Sequence, residues 1–367
     1  LTIFFLRLII YVLMRNDVVI VYASCGEGHK RAAQGLSQSL NCPVYDLLDF
    51  APRIVALLYS WGYRYVVRNF PLLWLWFFET TKWKLARDNM VFIHRIFFRR
   101  FMRFILRSEC RVVISTHFFA PPLLTKVKRK RSFLNTVLVT DLDVHPFWTD
   151  KGIDTYFVAM DETRKILLKK GVEERKVVVS GIPLRQGFYL SQDPESLRRK
   201  FYISGKPCLL FFSSDTGTIP YLSSVLKDLG KKYTLLVLYG KNKRLRHYIE
   251  KNRFSSVRGF SYYEKMWEMM GVCMALVTKP GGMTVGEALH MKKPLIVTHF
   301  IWGQEKKNMD ILVDKGVAFY APGPRELKKA LAFINANYSN IQDRFSREQN
   351  NAYRIIADYI SDCRDRI

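Results

Sequence analysis

Short runs of consecutive apolar, mostly β-branched residues recur along this chain, and turns and helical periodicity separate them. Residues 17–23 (DVVIVYA) are such a run. A strand with one wet face alternates apolar and polar side chains, whereas one apolar at nearly every position must be covered on both faces. The run therefore predicts a central strand of a parallel sheet. The loop 24–29 (SCGEGH) and a helix over 30–40 follow it, which is how a doubly wound α/β domain opens. Residues 44–46, 111–115, 136–140, 155–158 and 176–180 continue the series. A polar stretch at 191–196 interrupts it, and a second series runs through 208–213 (CLLFFS), 234–239, 275–278 and 295–298. Closing helices are expected over 324–335 and 346–360. The expectation is an α/β protein of two Rossmann-like domains, 17–190 and 191–345, with ligand chemistry in a cleft between them. The C-terminal segment 346–367 is expected to be helical and to pack back on the first domain.

Residues 53–107 break the pattern. They are crowded with aromatics, among them Tyr59, Trp61, Tyr63, Trp74, Trp76, Trp83, Phe92 and Phe101, and carry eleven Lys or Arg against only Glu79 and Asp88. The whole chain has a formal net charge of +26, which implies polyanionic partners: nucleic acid, an anionic lipid surface or phosphorylated ligands. Trp and Tyr favour the boundary between headgroups and acyl chains, and Lys and Arg pair with anionic headgroups. Residues 92–106 place Phe92, Ile96, Arg99 and Arg103 at helical spacing, and likewise Ile93, Phe97, Phe101 and Phe104, which predicts one basic amphipathic helix lying in that boundary. The bland alternative buries the aromatics in the first domain's core. No RNA-binding module signature appears, so nucleic acid is not expected as a partner. Residues 1–16 are an N-terminal extension whose first 13 residues are apolar apart from Arg7, too short a run to span a bilayer, and residues 1–13 are expected to be either an over-extended start or a surface anchor. The six cysteines are scattered and form no CxxC pair, as in a cytosolic protein with reduced thiols.

Two loops carry the chemistry of the second series. Residues 278–289 (TKPGGMTVGEAL) follow an apolar run and lead into a helix. Paired glycines let backbone approach a ligand, and the helix N-terminus offers free N–H groups and a positive dipole end, a combination suited to a diphosphate. Glu287, expected within about the first turn, is placed to accept hydrogen bonds from ribose hydroxyls. Alone, the same residues also describe a tight turn followed by an acid that suits the dipole. Residues 303–308 (GQEKKN) follow the next apolar run, and Gln304 and Glu305 can bond vicinal sugar hydroxyls.

TKPGG with GEAL, then GQEKKN, resembles the donor-binding half of glycosyltransferase family 28. The loop 26–33 (GEGHKRAA) is similar to that family's glycine-rich loop, bearing Gly26, Gly28 and His29. Thr140-Asp141, His145-Pro146-x-Trp148 and Gly181-Ile182-Pro183-x-Arg185 look like the diacylglycerol glycosyltransferase branch, which includes plant monogalactosyldiacylglycerol synthases and bacterial processive glucosyltransferases. The resemblance covers residues 17 to about 320. It implies the GT-B fold, inversion at the anomeric carbon, a UDP-sugar donor, and neither a cofactor nor a catalytic metal. It implies that Gly281, Gly282 and Thr284 meet the phosphates, with Lys279 and Gly240 also on the donor side. Glu287 would hold the ribose, Gln304 and Glu305 the sugar, and Phe260, read as part of a turn, would lie near the uracil. His29 is the general base this implies, with Asp141 and His145 as alternatives. Pro146, Trp148 and Arg185 are assigned to the acceptor side. One departure stands out: the glycine-rich loop that relatives carry after the first strand of the second domain reads Ser213-Ser214-Asp215-Thr216-Gly217, where two serines can still bond phosphate but Asp215 adds a negative charge.

The expected activity is transfer of glucose or galactose from its UDP donor to diacylglycerol, by an enzyme held peripherally on the cytoplasmic face of a membrane through anionic phospholipid. The rivals are N-acetylglucosaminyl transfer to a lipid-linked peptidoglycan precursor and a non-catalytic lipid-binding relative.

Overall fold

The computed structural model describes residues 17–212, 219, 221–345 and 351–364. The expected N-terminal extension and the loop bearing Ser213 and Ser214 lie outside them. The chain divides into two compact units, one ending at Leu184 and taking in the C-terminal helix, the other starting at Arg185. The division falls ahead of the polar stretch at 191–196.

The first unit is built on six parallel strands, β1 (Val18–Tyr22), β2 (Val44–Asp46), β3 (Val112–Ser115), β4 (Leu134–Leu138), β5 (Thr155–Val158) and β6 (Val177–Val179), in the order β2-β1-β3-β4-β5-β6. Val18, Val19, Ile20 and Val21 are all buried, and each such side chain contributes about 2 kcal/mol by leaving water. Val19 pairs with Val113 and Ile20 with Val44, so β1 sits between β2 and β3. The chain leaves β1 toward one side and returns on the other, which makes the C-terminal ends of β1 and β3 the topological switch point. The helix α1 (Glu27–Leu40) begins three residues before the expected position. Gly26, in extended backbone at φ −161° and ψ 149°, is its N-cap, and Glu27 supplies an acid to the first turn.

The aromatic segment is helical with short breaks: α2 (Arg53–Leu57), a wide π turn at Leu58–Gly62, α3 (Tyr63–Asn69), α4 (Pro71–Thr80), α5 (Lys84–Phe97) and α6 (Arg99–Arg107). The single amphipathic helix expected over 92–106 is not formed. The chain leaves helical geometry at Phe98, φ −102° and ψ 22°, where that ring is wholly buried. The break brings Phe98, Phe101 and Ile105 into one cluster with Leu47, Val113 and Leu123, while Phe92, Ile93 and Ile96 stay exposed. The core reading therefore holds for α6, whose Phe101 and Ile105 are buried, while apolar side chains on the outer faces of the segment stay exposed. The unit is completed by α7 (Ala120–Lys128) and α8 (Asp161–Lys169).

The second unit is a parallel sheet in the order β12-β11-β10-β7-β8-β9, from β7 (Cys208–Phe212), β8 (Thr234–Leu238), β9 (Val257–Phe260), β10 (Ala275–Thr278), β11 (Leu295–Val297) and β12 (Ala318–Tyr320). Its switch point lies between β7 and β10, so the turn after β10 stands at the place where a doubly wound sheet binds its ligand. The helices are α9 (Pro194–Lys200), α10 (Leu222–Leu229), α11 (Lys243–Asn252), α12 (Met266–Val272), α13 (Gly282–His290), α14 (Gln304–Asp314) and α15 (Pro324–Gln342). The sequence had not predicted β9 or β12. Phe260, read as part of a turn, is the last residue of β9.

The final helix, α16 (Ala352–Arg364), is grouped with the first unit. Tyr359 packs edge-on against Phe157, and its hydroxyl is 2.7 Å from that of Thr155. A Cβ at Gly35 of α1 would stand 2.5 Å from Tyr353 Oη, so a larger residue there would have to displace that hydroxyl. Among the described residues no helix is long and apolar enough to cross a membrane.

Candidate active site

The first unit gathers its chemistry around His29. The early start of α1 puts this residue in the first helical turn, at the C-terminal end of β1. Its Nδ1 donates to the Thr116 carbonyl oxygen at 2.6 Å, and the Thr140 hydroxyl lies 3.1 Å from the same nitrogen. Thr116 returns the contact by donating its hydroxyl to the His29 carbonyl at 3.0 Å. A carbonyl oxygen can only accept, so Nδ1 carries the proton and Nε2 keeps its lone pair. Burial lowers the His29 pKa to about 4, outweighing the Thr116 carbonyl, which works in the opposite direction. At neutral pH the ring is therefore uncharged, with its basic nitrogen on the side away from Thr116.

Three loops converge here because β1, β3 and β4 are neighbours. Thr116 and His117 follow β3, Thr140 and Asp141 follow β4, and the His117 ring stands edge-on to His29 with centroids 4.5 Å apart. Asp141 is buried. His145 is differently placed: its Nδ1 accepts from the Phe147 amide and its Nε2 donates to the Phe78 carbonyl, each at 3.3 Å. With both nitrogens engaged it has no lone pair for a reacting proton, which removes it as an alternative base. Instead it pins the turn at Pro146–Trp148 to α4. Trp148 is fully buried, 6.5 Å from the His29 ring, and belongs to a core cluster with Val137 and Tyr156. Thr116 and His117 were missed by sequence reasoning. The available signal was Ser115-Thr116-His117 directly past an apolar run, the position where parallel strands deliver functional side chains.

In the second unit Gly281 is the N-cap of α13, with φ −68° and ψ 142°, so Gly281, Gly282 and Thr284 line that helix's N-terminus. Glu287 lies deeper than expected, on the second turn and nearly buried. Its carboxylate is 4.0 Å from Arg185 Nη2. Arg185, assigned to the acceptor side from its motif, belongs instead to this unit. Its guanidinium lies over the Trp267 ring at 5.2 Å and donates through Nη1 to the Glu264 carbonyl.

The two loops of this unit are tied together. Asn308 Nδ2 donates to the Pro280 carbonyl at 3.1 Å, and Glu305 is held by the Lys279 ammonium and by the Ile301 amide at 2.8 Å. Glu305 is 3% exposed, so its carboxylate braces the loop while Gln304, first residue of α14, is partly exposed beside it. Breaking a buried ion pair by removing one charge strands the other. Glu305→Gln is expected to cost about 3 kcal/mol of stability in urea unfolding, and an unchanged midpoint would show that Lys279 is solvated instead. Gly240 follows β8 at φ +57°, a conformation that favours glycine, and Phe260 packs edge-on to Tyr263 at the end of β9. Gly240, Phe260, the Gly281 turn and Gln304 thus stand at the C-terminal ends of four strands of one sheet.

Residues 29–184 match the family described as monogalactosyldiacylglycerol (MGDG) synthase, a match that stops where the first unit stops. The chain is 26% identical to the chloroplastic monogalactosyldiacylglycerol synthase of Spinacia oleracea, over 86% of this chain and 65% of that protein. It is 24% identical to the processive diacylglycerol beta-glucosyltransferase of Bacillus licheniformis, over 89% of each. Among solved structures, a UDP-glucose:anthocyanidin 3-O-glucosyltransferase in complex with UDP superposes with a TM-score of 0.60 at 10% identity, covering 95% of this chain and all (100%) of that one. The chain is a glycosyltransferase of GT-B fold, and its residues 29–184 are similar to the monogalactosyldiacylglycerol synthase family.

Proposed function

We propose that this protein transfers a hexose, glucose or galactose, from its UDP donor to diacylglycerol at a membrane surface, with inversion and without a catalytic metal. The observation that carries the lipid half is where apolar surface is left uncovered. Of the twenty-three large hydrophobic side chains exposed among the described residues, sixteen fall between Ile54 and Leu106. They include Trp61, Leu72, Trp76, Trp83 and Leu85, each more than 60% exposed. A water-soluble surface does not gather apolar residues at this density, whereas an interface with lipid does. The unit that carries this surface also carries His29. The names of the spinach and Bacillus licheniformis relatives support the acceptor, and the UDP-bound neighbour supports the donor.

In the proposed reaction His29 Nε2 removes the proton from the free glycerol hydroxyl as that oxygen bonds to C1 of the sugar. The C1–oxygen bond to the β-phosphate breaks, and UDP leaves with the electron pair. The Thr116 carbonyl accepts from Nδ1–H and so stabilises the imidazolium that forms. Glu287 takes the ribose hydroxyls, Gln304 the sugar, and the α13 N-terminus the diphosphate. The cysteines are free thiols, which supports assignment to the cytoplasmic face.

Labelled UDP-glucose and UDP-galactose, offered separately with vesicles containing diacylglycerol, test the activity. Label should enter lipid from one donor or both. Incorporation only from UDP-N-acetylglucosamine into a lipid-linked peptidoglycan precursor would overturn the assignment. Vesicle flotation tests the surface: binding should weaken when Trp61, Trp76 and Trp83 are changed to serine, and also as salt is raised, because each basic residue near an anionic surface adds about 1 kcal/mol. Equal binding to neutral and anionic vesicles would contradict the electrostatic part.

A further inference from the structure

Behind His29 lies a line of buried rings for which the proposed reaction has no use. His117 is 3% exposed and stands edge-on to His29, the ring planes at 72° and the centroids 4.5 Å apart. Its Nδ1 accepts from the Phe119 amide at 3.3 Å, which leaves the proton on Nε2 and fixes a neutral tautomer. The Phe119 ring packs against His117 at 4.4 Å and against His94 of α5 at 4.6 Å, and His94 Nε2 is 2.8 Å from the Tyr59 hydroxyl. A chain of contacts thus runs from the helices with the exposed apolar faces to the switch-point histidine.

The Thr116-His117 pair holds His29 from two directions. Thr116 fixes Nδ1 and the main chain by hydrogen bonds, and His117 covers the ring with an uncharged neighbour. Among the described residues, the titratable groups that act on His117 are His29 from α1 and His94 from α5. Thr140 and Trp148 complete the surround of His29, and no carboxylate is bonded to either His29 or His117 among the described residues. Among the described residues, a main-chain carbonyl and a second neutral imidazole stand where a carboxylate usually orients a catalytic histidine.

We propose that His117 is a positioning residue for the proposed base, its buried ring holding His29 against Thr116 with Nε2 turned toward the acceptor hydroxyl. This rests on His29 being the base. The contact does two things: it fixes the ring's orientation, and it keeps water and counter-charge away from it. Misplacing a reacting group by a fraction of its contact distance is enough to lose a large part of its effect.

Two variants separate these effects. In His117→Asn the Oδ1 atom can still accept from the Phe119 amide, so the loop keeps its anchor, but the ring beside His29 is gone. We expect kcat to fall about tenfold or more with donor KM little changed. The acid limb of kcat/KM should move upward by about one pH unit as water reaches His29. In His117→Phe the ring and its dryness remain, so the acid limb should stay where the wild-type enzyme has it. Wild-type kcat and acid limb in both variants would overturn the proposal, as would the same shift in both. His29→Ala in parallel keeps the two ideas apart. If it retains activity, the base assignment fails; if it is inactive while His117→Asn behaves as wild type, only the positioning role fails. Should His117→Asn not fold, by thermal unfolding, the comparison rests on His117→Phe, for which a displaced acid limb is the contradicting result.

Discussion

His29→Ala is expected to lower sugar transfer by about 10²- to 10⁴-fold while leaving the affinity for UDP unchanged. The two readouts separate because the ring belongs to the first unit and the nucleotide contacts are assigned to the second. The wild-type enzyme should also show an unusual pH profile. A base works in its deprotonated form, and burial lowers this imidazole from its ordinary 6.5 to about 4. Activity should therefore be flat through neutral pH and decline only as pH falls toward 4, rather than through the usual histidine range. An acid limb centred near 6.5 would mean that the ring is hydrated in the working enzyme. The low pKa has a cost, since a weaker base takes a proton less readily. The fixed Nδ1–H bond to the Thr116 carbonyl offsets part of it by stabilising the cation once formed.

Glu287→Ala is expected to weaken UDP binding by about 3 kcal/mol, or roughly a hundredfold. Two hydrogen bonds from ribose hydroxyls to a carboxylate account for most of this. The remainder comes from Arg185, whose buried Nη2 makes no hydrogen bond among the described residues and faces Glu287 at 4.0 Å. Calorimetry with UDP and 2′-deoxy-UDP checks the assignment directly. The wild-type protein should prefer UDP, and Glu287→Ala should lose most of that preference. A variant that still discriminates between them would move ribose recognition to another residue.

The strands that carry both sites were legible because they are buried on two faces and leave almost uninterrupted apolar runs, as Val18–Tyr22 and Cys208–Phe212 do. The strand Val257–Phe260 was not, since Arg258 and Gly259 interrupt its pattern and only its pairing with Thr234–Leu238 makes it a strand. The break at Phe98 was invisible for a related reason: helical spacing continues through it, and what bends the chain is the core that Phe98, Phe101 and Ile105 join. His29 could be singled out by its loop, but not the proton on its Nδ1, because Thr116 is eighty-seven residues away and reaches it only when β1 and β3 pair. Glu305 shows what a motif leaves out. Its motif suggested a sugar contact, yet Lys279 and the Ile301 amide occupy its carboxylate. Arg185 likewise followed its motif to the acceptor side, and packing on Trp267 assigns it to the second unit.

The most direct test of a single displacement driven by His29 is the anomeric configuration of the product made in the presence of EDTA. Starting from an α-linked UDP-hexose, NMR of the purified glycolipid should show the β-glycoside, formed at an undiminished rate with chelator present. An α-glycoside, or activity that vanishes with EDTA and returns with a divalent cation, would contradict the mechanism.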